Sequence, residues 1–159
     1  MPSTAGADAS AQLIDPRGPR FAAAVTAVLL AAALTFGPVL GWPVLLVQTL
    51  AFAAGSLLGL RYQPWGWVYR VAVQPRLSPP AALEDARPPR FAQTVGLLFG
   101  LAGLLGVAAA VPALFYVAGG FALVAAVLNA VFDYCLGCEI YLLGRRVFTH
   151  AATGAAVKR

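Results

Sequence analysis

Apolar residues along this chain come in long unbroken runs, not in alternation. The first covers about residues 21–40, the second about 44–60 and the third about 91–110. The fourth begins near Pro112 and stays apolar to about Phe132. A helix needs roughly 20 residues, within a range of about 17–25, to cross about 30 Å of hydrocarbon. All four runs reach that length, the second barely. Ala and Leu outnumber β-branched residues in them, so they predict membrane-spanning helices and argue against barrel strands. Gly37-Pro38 and Gly41-Trp42-Pro43 predict a tight turn between the first two helices, and Val111-Pro112 another between the last two. The connection from Arg61 to Arg90 is long and rich in proline. Its aromatic stretch from Trp65 to Val73 suits the headgroup layer. Residues 1–14 are small and polar and predict a disordered tail; residues 149–159, with a solvated His150, predict a second polar tail.

The polar stretches that precede the first and third runs repeat each other. Asp15-Pro16-Arg17-Gly18-Pro19-Arg20-Phe21-Ala22 returns seventy residues later as Asp85-Ala86-Arg87-Pro88-Pro89-Arg90-Phe91-Ala92, with six of eight positions identical. The chain therefore reads as a duplicated unit, a charged lead followed by a helical hairpin. The fold expected is all-α integral membrane, with four transmembrane helices as two parallel-repeat hairpins in one membrane domain over residues 15–148. Repeat one covers 15–84 and repeat two 85–148. Arg17 and Arg20 ahead of an apolar stretch also resemble a secretory signal peptide, but the same lead recurs inside the chain, where no signal peptide sits. Gly55 and Gly59, one turn beyond Ala51, and Gly96, Gly100 and Gly103 offer small ridges for close helix packing.

Composition agrees with this pattern. Hydrophobic residues make up 60% of the 159 and charged residues only 11%, against about 45–50% and about 25% in a soluble domain. Mean hydropathy is +0.79. The net charge of +5 has a topological explanation and does not indicate a nucleic-acid partner. Four spans put every Arg and the single Lys on one side, and neither short turn contains a charge. The positive-inside rule then places both termini and the long connection in the cytoplasm, with the lipid bilayer of the inner membrane as the surrounding phase.

Candidate chemistry concentrates where the repeat fails. Cys135-Leu136-Gly137-Cys138 holds the only two cysteines, and only the second repeat has them. Three readings stay open: buried inert cysteines; half of a metal site that a dimer would complete, since only His150 is left as a further classical ligand; or a dithiol that cycles through a disulfide or carries sulfur. The dithiol reading requires helix four to break between Asn129 and Asp133. Asp133 would then cap a following helix that ends near Gly144, with Cys135 in its first turn, where the dipole favours thiolate. Asn129 and Asp133 are the strongly polar residues of this stretch, one turn apart. Arg17, Arg20, Arg87 and Arg90 either anchor the leads at the phosphates or, with Arg145 and Arg146, form an anion or partner site beside the cysteines. No phosphate loop, zinc-protease or nucleophile-elbow pattern is present, so no metal or cofactor is expected.

The second lead, the preceding Gln74-Pro75-Arg76-Leu77-Ser78-Pro79-Pro80, and the run from Asn129 to Tyr141 around Cys-Leu-Gly-Cys-Glu together resemble the bacterial membrane family called domain of unknown function 4395. The likeness covers about residues 12–148. It implies a small multi-pass protein whose genes tend to lie near thioredoxin-like and sulfurtransferase genes. The expectation is a membrane thiol-redox or sulfur-relay component, with Cys135, Cys138 and Asp133 reactive and a thioredoxin-like or sulfurtransferase partner. The alternatives are a small transporter or channel subunit for a sulfur oxyanion, and a non-catalytic scaffold.

Overall fold

The computed structural model describes the backbone of residues 12–156 and the side chains of residues 12–147. The tail expected over residues 1–11, Lys158, Arg159 and the His150 side chain lie outside the described residues. Among the described residues, three helical stretches are long and apolar enough to cross a membrane: Arg17–Leu58 with 42 residues, Arg87–Ala108 with 22 and Pro112–Phe132 with 21. They leave many large apolar side chains exposed, among them Val28, Leu98, Leu105 and Val124. Water would not tolerate so broad an apolar surface, and lipid would. The fold is all-α and is that of a membrane protein.

The order is β1 (Leu13–Ile14), α1 (Arg17–Ala53), a π segment (Ala54–Leu58), a 3₁₀ turn (Leu60–Tyr62), the short α2 (Pro64–Val68), a π turn (Tyr69–Val73) and a 3₁₀ turn (Gln74–Arg76). Then come β2 (Glu84–Asp85), α3 (Arg87–Ala108), α4 (Pro112–Phe132) and α5 (Leu136–Ala156). Helix α1 folds back on itself at Gly37, whose φ of 72° and ψ of 178° belong to a region open essentially to glycine alone. Gln48 Nε2 donates to Thr26 Oγ1 at 3.0 Å across the fold, and Gly41 sits against the backbone of Ala33. Gly37 alone makes the turn. Gly41, Trp42 and Pro43, expected in it, are already helical, and Pro38 opens the second arm at a position where its missing N–H costs nothing. The α3–α4 turn closes α3 with a Schellman pair: Val111 N–H to Gly106 C=O at 2.8 Å and Ala110 N–H to Val107 C=O at 3.2 Å, with Ala110 left-handed at φ 54°.

At the opposite end the contacts come in pairs. Strands β1 and β2 pair antiparallel, with Ile14 opposite Glu84, so equivalent lead positions face each other. Residues 13–14, expected in the disordered tail, are ordered by this pairing. Arg20 donates through Nε to Ala130 C=O at 3.0 Å and through Nη2 to Val131 C=O at 3.4 Å. Arg90 donates through the same two nitrogens to Ser56 C=O at 2.9 Å and Leu57 C=O at 3.1 Å. Phe21 packs on Tyr69 at 5.8 Å and Phe91 on Tyr141 at 5.7 Å between ring centroids.

The core lies between α1, α3 and α4 around Leu30, Ala33, Leu45, Phe115 and Ala122. Gly96, Gly100 and Gly103 of α3 lie against Phe52, Thr49 and Leu45 of α1, and Gly55 lies against Gln93. Gly59, expected on the same packing ridge as Gly55, instead carries the chain out of the helix at φ 107°, and a Cβ there would meet nothing among the described residues.

Gly41→Ala is expected to force the arms of α1 apart, because the added Cβ meets backbone that cannot move aside. Overpacking of this kind costs about 1–3 kcal/mol or more. Gly120→Ala, whose Cβ meets nothing within 4 Å, is expected to melt like the parent. Thermal unfolding in detergent separates the two.

Candidate functional site

Helix α4 ends at Phe132, and Asp133 in the left-handed conformation (φ 57°) turns the chain out of it. Aspartate tolerates that conformation better than most residues. Helix α5 starts at Leu136, so Cys135 is its N-cap. The Cys135 Sγ accepts the N–H of Cys138 at 3.3 Å, and the Cys135 C=O accepts that of Glu139 at 3.0 Å. Asp133, expected to cap this helix, lies two residues too early to do so. Its side chain is 71% exposed and faces Arg20 Nη1 at 3.9 Å. The helix expected to end near Gly144 runs on to Ala156.

Cys135 and Cys138 form a disulfide with their Cα atoms 5.2 Å apart, and both are half-buried. Gly137 between them lets the first turn of α5 lie on α3: a Cβ there would stand 2.7 Å from Ala92 Cβ. The second lead therefore carries the disulfide directly. A cavity of about 600 Å³ adjoins it, walled by Pro88, Pro89 and Ala92 on one side and Asn129 of α4 on the other. It reaches to Phe99 and Phe121, whose rings stack at 6.0 Å.

The four lead arginines do not gather into one anion site. Arg17 holds Asp15 through Nε at 3.0 Å and Nη2 at 2.9 Å and also donates to Ser78 C=O. Arg87 faces Asp85 at 3.9 Å. Arg20 reaches the α4–α5 break, while Arg90 closes the end of the π segment. The carbonyls and carboxylates that each lead must satisfy divide the arginines between the two exits. Among the described residues, no group of three His, Cys, Asp or Glu side chains comes together.

Sequence reasoning missed the buried pair Asp15–Tyr69. Tyr69 donates to Asp15 Oδ2 at 2.9 Å. The Arg17 hydrogen bond holds the Asp15 carboxyl below its ordinary range, against the effect of burial. Burial, and then the bond to Asp15, pushes the Tyr69 hydroxyl up. Gln48, fully buried at 0% exposure, was missed as well. It links Thr26 to Trp65 Nε1, which donates to Gln48 Oε1 at 3.1 Å. The signal was available: Gln48 is a lone amide inside an apolar run.

The family model for domain of unknown function 4395 matches residues 14–146, and the chain belongs to that family. Searches of curated proteins and of solved structures found no match.

Asp15 sets an acid limit on stability. Its folded pKa lies below the unfolded one, so its contribution is complete above about 3.9 and is lost as pH falls through the lower folded value. Acid unfolding of Asp15→Asn is expected to lack that part of the slope. Tyr69→Phe is expected to cost about 1–2 kcal/mol at neutral pH, read by thermal melts.

Proposed function

We propose that this member of the family is a multi-pass component of the bacterial inner membrane that exchanges disulfides, or relays sulfur, through Cys135 and Cys138. The observation that carries the reading is the disulfide at the first turn of α5, half-exposed and placed at the α4–α5 break. Neither cysteine serves as core packing there. A helix N-terminus with a free N–H aimed at sulfur favours thiolate chemistry.

In the bilayer, the arms of α1 on either side of Gly37 each cross once, which with α3 and α4 gives four spans. Each arm has about the 20 residues required. The two hairpins are parallel repeats related by a twofold axis along the membrane normal. The end with the leads, the breaks and the arginines faces the cytoplasm. Helix α5 shows an exposed apolar stripe of Leu136, Ile140, Leu143 and Val147 and lies in the headgroup layer.

The partner is a thioredoxin-like or sulfurtransferase protein on the same side. A partner thiolate attacks the disulfide, forms a mixed disulfide and releases the other cysteine as thiolate. The partner's second thiol then attacks the mixed bond and leaves as the partner's disulfide, so two electrons and two protons pass to Cys135 and Cys138. Cys135 holds its thiolate better, because its sulfur faces the Cys138 N–H and the helix dipole. A small-anion transporter built on Arg17, Arg20, Arg87 and Arg90 has less support, since their guanidiniums are engaged at the leads and helix ends.

Thiol counting across a redox titration is expected to show two thiols appearing together in the parent and none in Cys135→Ser/Cys138→Ser. With one cysteine left, Cys135 is expected to alkylate several-fold faster than Cys138 at neutral pH. Equal rates would remove the activated thiol. For topology, a cysteine at the exposed Val39, in a background without the native pair, is expected to react with an impermeant reagent on intact cells. A cysteine at Leu77 is expected not to react. The reverse labelling would overturn the orientation.

A further inference from the structure

The first hairpin has its own version of the disulfide site. Its N-cap there is Gln63, whose Oε1 accepts the N–H of Gly66 at 2.6 Å, as the Cys135 sulfur accepts that of Cys138. Gln63 and Gly66 precede Cys135 and Cys138 by seventy-two residues, the same offset as Tyr69 to Tyr141. Each site faces a cavity against its own lead. That of the disulfide is walled by Pro88, Pro89 and Ala92; that of Gln63 by Gly18, Pro19 and Ala22, the same three positions seventy residues earlier.

The chemistry of the second cavity, of about 410 Å³, is different. Gln63 is 2% exposed, and its Nε2 is buried with no hydrogen-bond partner. Such a donor is costly to bury unless something accepts from it. Gln93 Oε1, in the same wall, is also buried and unpartnered. Rotated by half a turn about its last bond, the Gln93 amide presents N–H donors to this space instead. Arg61 and Arg70 add two positive charges. Arg70 commits one nitrogen to the Arg61 carbonyl, and Arg61 lies over the Tyr62 ring at 5.6 Å. Among the described residues, Asp15 is the only carboxylate in the wall, and Arg17 and Tyr69 already satisfy it. The wall therefore has surplus positive charge and two buried amides with unpartnered atoms, Gln63 Nε2 a donor and Gln93 Oε1 an acceptor unless its amide rotates.

We propose that this cavity binds a tetrahedral oxyanion group, phosphate or sulfate, with Gln63 Nε2, Arg61 and Arg70 as its donors. The group comes either free or as the headgroup of an anionic phospholipid at the same end of the bundle. Charge-assisted donors of this kind suit such an anion. The site is independent of the cysteines and stands whether or not they exchange disulfides.

The test uses the full chain in phosphatidylcholine nanodiscs, titrated with sodium sulfate or phosphate against chloride at equal ionic strength. Saturable binding with a rise in thermal midpoint is expected. Gln63→Glu keeps an acceptor for Gly66 but puts a negative charge in place of the free donor, and is expected to weaken binding at least tenfold. Arg61→Gln reads the same loss from an exposed position, should Gln63→Glu unfold the chain. Cys135→Ser/Cys138→Ser is expected to bind like the parent, so a failure of the redox reading and a failure of this one are distinguishable. In phosphatidylglycerol nanodiscs, loss of the sulfate response, together with lipid retained by the parent and not by Gln63→Glu in native mass spectrometry, identifies the lipid as the source. A persistent sulfate response identifies the free anion. If neither inorganic anion nor phosphatidylglycerol stabilises the parent over chloride and phosphatidylcholine, the proposal fails. It fails equally if the folded Gln63 and Arg61 variants bind as the parent does.

Discussion

The last carbonyls of a helix have no partner within it, and at the edge of a bilayer there is little water to supply one. Here each exit is closed by a guanidinium from the other half of the molecule. Arg20 of the first lead caps the end of α4, and Arg90 of the second caps the end of the π segment, through the same nitrogens in both cases. A cation there also opposes the negative end of the helix dipole. Because each cap crosses from one half of the chain to the other, neither half closes its own helix end. The two leads also pair directly, Ile14 with Glu84, whereas each Phe–Tyr contact stays within its own half.

That constraint fixes the ends of the helices and leaves free what comes after them. The first exit uses Gly59, a 3₁₀ turn and then Gln63 as cap; the second uses Asp133 and reaches its cap at Cys135 two residues sooner. Both exits deliver a side-chain acceptor to the third N–H of the following helix. An amide in that place makes a buried, fixed bond. A sulfur makes a weaker one and can also exchange partners. The same backbone solution thus holds two different acceptors, an amide at Gln63 and a sulfur at Cys135.

The leads were legible because identical charged residues stand out in an apolar chain. The helices were legible because hydrocarbon thickness sets their length. The correspondence of the two exits was not. The register between halves starts at seventy, becomes seventy-four past the hairpin turns, as the carbonyl pairs Ser56–Ala130 and Leu57–Val131 show, and returns to seventy-two at the caps. A single offset of seventy sets Cys135 against Trp65 and Cys138 against Val68; the structure sets them against Gln63 and Gly66. Turn lengths alter register without altering packing, and apolar runs carry no residue distinctive enough to reveal the slip. The capping role of Asp133 failed for a related reason: leaving α4 requires a left-handed residue, and Asp133 was used for that.

Gln93 is where the two cavities meet. It lies in the wall of both cavities and stands over Gly55, where an added Cβ would come within 2.9 Å of it and 3.1 Å of Gln63. Its counterpart seventy residues earlier is Ala23, which is buried and has no polar group to offer. The long amide is therefore found in the second half only, over Gly55, between the disulfide cavity and the polar one. The two cavities thus share one helix, α3, and, at Gln93, one side chain.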